Sequence, residues 1–230
     1  MLTLSVVATP LGNLQDISVR ALDALRWADA ILCEDTRVTR KLLAAHGIGA
    51  KELIRLNERS EKSLEYILNR LQGKNAALVS DSGTPGISDP GRRLIQFLVS
   101  HLSPKPYCLS PRIIPIPGPS ACTALLSVSG LGRDGFIFLG FLPRSKGKIR
   151  RELSGALATQ RAVVFHESPF RILNTLKIIA ANWPQVRLAI GRELTKEFEE
   201  ILRGDPGSLA ENLGRRDKIL GELTVAMEQP

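Results

Sequence analysis

The 230-residue chain is short of several residue types, and each shortage excludes something. It has three cysteines, Cys33, Cys108 and Cys122, an odd number without a paired C-x-x-C spacing. A disulfide framework and a cysteine-ligated zinc site are therefore not expected, and reduced apolar thiols in a cytoplasmic protein are. The three histidines, His46, His101 and His166, are scattered, so no metal site is expected either. Aromatic residues make up only 5%, which argues against an aromatic platform for base stacking. No apolar run is long enough for a membrane span, and the opening MLTLSVVATP lacks the basic flank of a signal peptide.

What is present describes a protein that folds throughout. Hydrophobic residues reach 43% and charged ones 23%, with no low-complexity tract and no internal repeat. Lys and Arg total 31 against 23 Asp and Glu, a net charge of +8. A polyanionic partner follows as a candidate, nucleic acid before membrane.

Along the first half, short β-branched runs alternate with helical apolar spacing. Residues 3–8, 30–33, 52–56, 76–80 and 112–116 read as strands. The segments after Asp16 or Ser18, after Asp35, after Ser60 and after Pro90 read as helices. That alternation predicts a mostly parallel sheet covered on both faces. Pro115, Pro117 and Pro119 around Gly118 stiffen the chain, so the boundary is placed there, giving domains 1–117 and 118–230. The second half reads as helix 120–128, strand 136–141, a basic connector and helix 143–157, strand 161–166, helix 170–181 and strand 186–191. Two further strands are expected at 196–202 and 223–228. Strands without helices between them near the end predict a mixed sheet. The fold class is thus α/β, two domains, the first sheet mostly parallel and the second mixed.

Ligands of open α/β sheets sit beyond the carboxyl ends of the strands, and the unusual loops of this chain lie there. SDSGTPGISDPG, residues 80–91, joins a strand to a helix with three glycines and two prolines but lacks the lysine of a phosphate-binding G-x-x-x-x-G-K-[ST] loop. Residues 9–13 lack G-x-G-x-x-G. A nucleoside-triphosphatase and a dinucleotide dehydrogenase are disfavoured; an open cleft for an adenine-containing ligand is not. Glycine and proline that only shape turns are the plain alternative. Glu34, Asp35 and Arg37 place two carboxylates and a guanidinium at one strand end, a set that can bind hydroxyls or exchange protons, or simply cap the next helix. Arg144, Lys146, Lys148, Arg150 and Arg151 form a basic run that is either a solvated face or a track for successive phosphates, with Arg40 and Lys41 as an extension.

The segments VATPLGNLQDISVRALDAL, EDTRVTRKLL, SDSGTPGISDPG, IPIPGPSA, GFLPR, ESPFR and RELTKEFEEILRG, in that order, resemble the bacterial small-subunit ribosomal RNA ribose 2'-O-methyltransferases, within the tetrapyrrole methylase-like enzymes. The resemblance covers nearly the whole chain. It implies an S-adenosylmethionine cofactor in a cleft between two domains, a homodimer, and a cytidine ribose in the decoding region of small-subunit ribosomal RNA, free or in the assembled subunit. It also implies cofactor contacts from Leu11, Asp81, Gly83, Thr84, Pro85, Ile87, Ser120 and Ala121, and from His166, Gly191 and Glu222. Base candidates are Glu34, Asp35 and Glu167, with Arg37 orienting them; RNA contacts fall to Arg40, Lys41, Arg144, Lys146 and Lys148. The chain departs from the family where YESPHR is usual, having His166 and Phe170, and where a YHEHN-like segment is replaced by Leu56-Asn57-Glu58-Arg59. The rivals are a tetrapyrrole C-methyltransferase and a ribosome-binding factor without catalysis.

Overall fold

The computed structural model describes residues 2–56, 61–102 and 111–230. Ser60 as a helix cap, Asn57, Glu58 and Arg59 of the departing segment, Cys108 and most of the proline-rich connector lie outside them. The chain divides into two compact units, Met1–Ser120 and Ala121–Pro230.

The first unit alternates strand and helix: β1 (Thr3–Val7), α1 (Val19–Trp27), β2 (Ala30–Cys33), α2 (Thr36–Ala45), β3 (Glu52–Arg55), α3 (Glu61–Leu71), β4 (Asn75–Leu78), α4 (Arg92–Leu102) and β5 (Arg112–Ile116). The five strands form an all-parallel sheet in the order β3-β2-β4-β1-β5. Every residue of β2 is buried, as a strand covered on both faces requires. One face packs Leu4, Leu32 and Leu78 against Leu64, Ile67, Leu94 and Leu98 of α3 and α4. The other packs Val7, Ile31 and Val79 against Ala21, Leu25 and Leu43 of α1 and α2. Each fully buried leucine contributes roughly 2–3 kcal/mol, so these two layers hold the strand ends in place. Ser18, not Asp16, caps α1: its hydroxyl accepts from the Ala21 N–H at 3.1 Å, while Asp16 closes a 3₁₀ turn, Leu14–Asp16.

The second unit contains α5 (Ala121–Ser129), β6 (Phe136–Phe141), α6 (Lys146–Leu157), β7 (Ala162–Glu167), α7 (Ile172–Asn182), β8 (Arg187–Arg192), β9 (Glu200–Gly204), α8 (Pro206–Gly214) and β10 (Leu223–Glu228). Its sheet runs β6-β7-β10-β8-β9 and is mixed: β6 and β7 are parallel, β10 is antiparallel to both neighbours, and β9 returns antiparallel beside β8. Phe165, Ile190 and Val225 meet Leu153, Leu176 and Leu213 in its core.

Two expectations for this half are corrected and one is sharpened. The strand foreseen at 196–202 starts only at Glu200. Before it the backbone turns, with Lys196 N–H donating to Glu193 O at 2.9 Å, Glu199 N–H to Lys196 O at 3.1 Å, and Thr195 at φ 66°. Within the basic connector and helix read at 143–157, the helix itself starts at Lys146. The helix α8 was not foreseen, although Asp205 caps it by accepting from the Gly207 and Ser208 N–H groups and Pro206 opens its first turn.

Candidate active site

Parallel strands end together, so the loops after β1, β2, β4 and β5 leave the sheet at one edge. Hydrogen bonds join them. Thr9 and Gly83 exchange both backbone bonds, Thr9 N–H to Gly83 O at 2.8 Å and Gly83 N–H to Thr9 O at 3.1 Å. The Thr9 hydroxyl donates to Ser80 O at 3.1 Å, and the Thr84 hydroxyl to Pro119 O at 3.1 Å. Gly83 is at φ 78°, and a Cβ there would sit 3.4 Å from Leu11 Cδ2, so only glycine lets the two loops close on Leu11 without strain. Leu11, Asp81, Gly83, Thr84 and Pro85 are thereby brought together; Leu11, Gly83 and Pro85 are buried, and Ile87 is half exposed at the loop's outer turn. Ser120 follows the Pro119 carbonyl that Thr84 holds, and Ala121 opens α5.

The acidic step after β2 is tied to the same wall, for the Asp35 N–H donates to Asp81 Oδ1 at 3.0 Å. Asp35 caps α2, accepting from the Arg37 N–H at 2.8 Å, and the Arg37 Nε reaches both of its oxygens at 3.1 Å. Those bonds hold the Asp35 carboxyl well below the usual carboxylate range. Thus the capping role and the Arg37 partnership both hold, and Asp35 stays ionised. Glu34 differs. Among the described residues no hydrogen-bond donor reaches its carboxylate, and burial, reinforced by the negative charge of Asp81, pushes its pKa up against the pull of Arg55. Two adjacent carboxylates driven in opposite directions are the usual mark of separate acid–base and structural roles. Arg40 and Lys41 lie exposed on the next turn of α2.

In the second unit the candidates divide differently. Glu167 is 1% exposed. Its Oε1 accepts from the Ser168 N–H at 2.8 Å and lies 3.3 Å from Arg171 Nε, and its Oε2 accepts from the Thr175 hydroxyl at 2.7 Å. Arg171 also donates to Leu142 O and Pro143 O at 2.9 and 2.7 Å, which clamps GFLPR to ESPFR. With three donors on it and 1% exposure, this carboxylate is out of a substrate's reach; the expectation of Glu167 as a base is corrected to a positioning role at the β7–α7 turn.

His166 sits at the end of β7 with Nδ1 3.1 Å from the Thr224 hydroxyl and Phe138 edge-on at 5.0 Å, and burial lowers its pKa, leaving a neutral ring at neutral pH. Gly191 is closely packed: a Cβ there would lie 2.8 Å from Leu194 Cδ2 and 3.2 Å from Leu125 Cδ1, so a larger residue would have to displace the Leu194 side chain. Glu222 is exposed and bound to Lys196 at 3.0 Å. Arg144, Lys146 and Lys148 are exposed around the start of α6, whose first turn carries no acidic residue and whose cap Ser145 makes no side-chain bond. Cations at a helix N-terminus oppose its dipole, so this end is electrostatically suited to an anion. Among the described residues no three of His, Cys, Asp and Glu are grouped to hold a metal, and no helix is long and apolar enough to cross a membrane.

One nearby residue escaped the sequence reading. Arg55 ends β3 in register with Cys33, and the Leu56 N–H donates to Cys33 O at 2.8 Å, which sets Arg55 one strand over from Glu34 and Asp35. The strand-end rule that singled out Glu34 applies equally to Arg55.

The fold is that of a known class of enzymes. Residues 3–210 match the family model Tetrapyrrole (Corrin/Porphyrin) Methylases. Solved structures agree with TM-scores of 0.70 and 0.65. One is a diphthine synthase, 17% identical, with 99% of this chain and 90% of that one covered. The other is uroporphyrin-III C-methyltransferase from Thermus thermophilus complexed with S-adenyl homocysteine, 17% identical, with 98% and 96% covered. At that identity they establish the fold alone. The chain is therefore a tetrapyrrole methylase-fold methyltransferase. Within that class it belongs to the ribosomal RNA small subunit methyltransferase I family. It is 42% identical to the protein of that name from Thermotoga maritima over 97% of both chains. It is 41% identical to the one from Mesorhizobium japonicum over 97% of this chain and 74% of that protein.

Proposed function

We propose that the protein transfers the methyl group of S-adenosylmethionine to the ribose 2'-oxygen of a cytidine in the decoding region of small-subunit ribosomal RNA. The observation that carries the reading is Glu34, which meets no donor among the described residues, beside the locked Asp35–Arg37 pair, on the same strand edge as the wall formed by residues 80–91. Membership of a family whose relatives are named ribosomal RNA small subunit methyltransferase I supports the substrate class. The bound S-adenyl homocysteine of the Thermus structure supports the cofactor.

The wall fits such a cofactor. Its donors and acceptors are backbone groups, the Thr84 hydroxyl and the Asp81 carboxylate, with no lysine or arginine between Ser80 and Gly91, a set for a cationic amino acid and a neutral ribose rather than for phosphates. Leu11, Gly83, Thr84 and Pro85 of the first unit would hold it. When bound, the sulfonium supplies a methyl group already activated for displacement. The protein's remaining task is alignment and proton transfer. Glu34 accepts the 2'-hydroxyl proton late in the displacement, its raised basicity matched to that role. Arg37, 81% exposed on its outer side, faces a phosphate while holding Asp35. Arg40, Lys41, Arg144, Lys146 and Lys148 supply further phosphate contacts. Phe136, Phe141 and Phe170 offer exposed apolar surface for a second copy, completing a homodimer.

The test is incubation with labelled cofactor and small ribosomal subunits from cells lacking the gene, with the product mapped by mass spectrometry. One new 2'-O-methylcytidine is expected, and the Arg37→Ala variant should lose it while retaining cofactor binding by calorimetry. Label entering a precorrin instead would favour the tetrapyrrole reading, which the fold equally accommodates.

A further inference from the structure

A pocket lies beside the acidic step, within the first unit. It is open, with a volume of about 390 Å³, and is lined by Ile54, Arg55, Lys62, Ser63, Tyr66 and Ile67. Ile54 and Ile67 are buried and form its floor. Arg55 connects it to the candidate active site: the β2–β3 register puts Arg55 opposite Cys33, the residue before Glu34, and its charge acts on both Glu34 and Asp35. Among the described residues neither Arg55 nor Lys62 has an acidic partner in a salt bridge. Arg70 and Lys74, farther along the same side, are both neutralised by Glu52.

Tyr66 is 59% exposed in a chain with only two tyrosines. It is also held in place. The Arg70 guanidinium lies over its ring 5.9 Å from the centroid and donates to the phenol oxygen at 3.3 Å. One side of the ring is thus backed by a cation that Glu52 anchors in turn. An exposed tyrosine on a helix is commonly a solvated surface residue. Here a floor, two cations without a salt bridge and a buttressed ring share one concavity that no acidic side chain lines among the described residues.

We propose that this pocket is a nucleotide subsite, in which Tyr66 stacks a base of single-stranded RNA and Arg55 and Lys62 hold its phosphate, gripping the nucleotide next to the one methylated at Glu34. The proposal rests on the reading of the protein as an RNA methyltransferase and gives that site its second point of attachment. A nucleotide is the occupant that the chemistry favours, since it combines a flat apolar face with an anion, and stacking on one ring with charge on either side tolerates any base. The low aromatic content is no obstacle, because one well-placed ring serves one base.

Two measurements decide it. The first is binding of a fluorescein-labelled single-stranded RNA oligonucleotide to the full chain, followed by anisotropy at several salt concentrations. The second is steady-state methylation of small ribosomal subunits lacking the modification. Tyr66→Ala is expected to weaken oligonucleotide binding by roughly 10-fold and to raise KM for subunits by a similar factor, with a smaller effect on kcat. Tyr66→Phe, which keeps the ring, restores most of both. Lys62→Ala should lower the slope of log Kd against log salt by about 0.7, the loss of one single-strand phosphate contact. Calorimetry with S-adenosylmethionine, unchanged in all three variants, reports that they fold. Wild-type oligonucleotide affinity and wild-type KM in both Tyr66→Ala and Lys62→Ala would overturn the subsite. If the wild-type protein methylated no small-subunit RNA at all, the functional reading would fail, and the anisotropy measurement would still decide the subsite.

Discussion

Glu34 and Glu167 occupy equivalent places in the two halves of the molecule. One follows the last residue of a buried strand, the other is the last residue of one, and a helix comes after each. Their surroundings differ completely. Glu167 is enclosed by a backbone N–H, a hydroxyl and a guanidinium. Glu34 meets no described donor and is crowded by the carboxylates of Asp35 and Asp81. The contrast shows that position at a strand end nominates a residue for chemistry, while burial and the donors around it decide whether a substrate can reach it. Thr175, eight residues further along, joins Ser168 and Arg171 in closing Glu167 off from solvent.

The comparison is broken most directly at Glu34. Glu34→Gln should lower the methylation rate by roughly 10²–10³-fold, the usual contribution of a general base. In the wild type, activity should rise with pH through the raised pKa of Glu34, and that acidic limb should vanish in the variant. Because the native state favours the protonated carboxyl, its stabilising contribution is present below the unfolded pKa and lost as pH rises through the folded one; at neutral pH the glutamine variant should be at least as stable as the parent. A destabilised Glu34→Gln with full activity would dismantle the assignment.

At Glu167 the opposite pattern is expected. Glu167→Ala removes the acceptor of the Thr175 hydroxyl and the Ser168 N–H and the counter-charge of Arg171, which keeps its bonds to Leu142 O and Pro143 O, at a cost of about 2–4 kcal/mol in urea unfolding, and Glu167→Gln should recover part of it. Methylation per folded molecule should fall far less than in Glu34→Gln.

The second unit also carries an acid-sensitive lock. The bonds from Arg216, helped by those from Arg192, hold the Glu200 carboxyl down to about 2 against the opposing effect of its burial. Its folded pKa is depressed, so the stabilisation is complete above the unfolded value near 4.5 and is lost as pH falls from there towards 2, a change of about 1–2 kcal/mol. Glu200→Gln should flatten that part of the stability–pH curve. The smallest effect is expected at Thr84→Val, which removes one bond to Pro119 O and should cost about 1 kcal/mol in stability while loosening cofactor affinity severalfold.

Sequence periodicity was enough to read the parallel half, because most of its strands are short apolar runs and α1 and α2 follow the capping residues Ser18 and Asp35. The mixed half was harder where structure depends on distant partners. The run 196–199 is as polar as an edge strand but is turned by bonds back to Glu193, and Glu193 in turn accepts from Lys196 and from the Glu222 N–H, 29 residues later. The helix α8 was legible in Asp205-Pro206-Gly207-Ser208 and was missed because two glycines, Gly207 and Gly214, dilute its helical signal. Motifs located the wall and the acidic step. Composition could not separate Glu34 from Glu167, nor reveal the pocket at Tyr66, since both depend on which side chains the fold places alongside.

The paired bonds between Thr9 and Gly83 have a consequence for motion. They close an isolated antiparallel bridge beyond the parallel β1–β4 ladder, so the loop at residues 80–91 is fastened at its base to the loop after β1 rather than free to swing as a lid. The amide protons of Thr9 and Gly83 should then exchange with solvent on the slow timescale of the strands, with or without cofactor, and whatever opens to admit RNA must be some other part of the molecule.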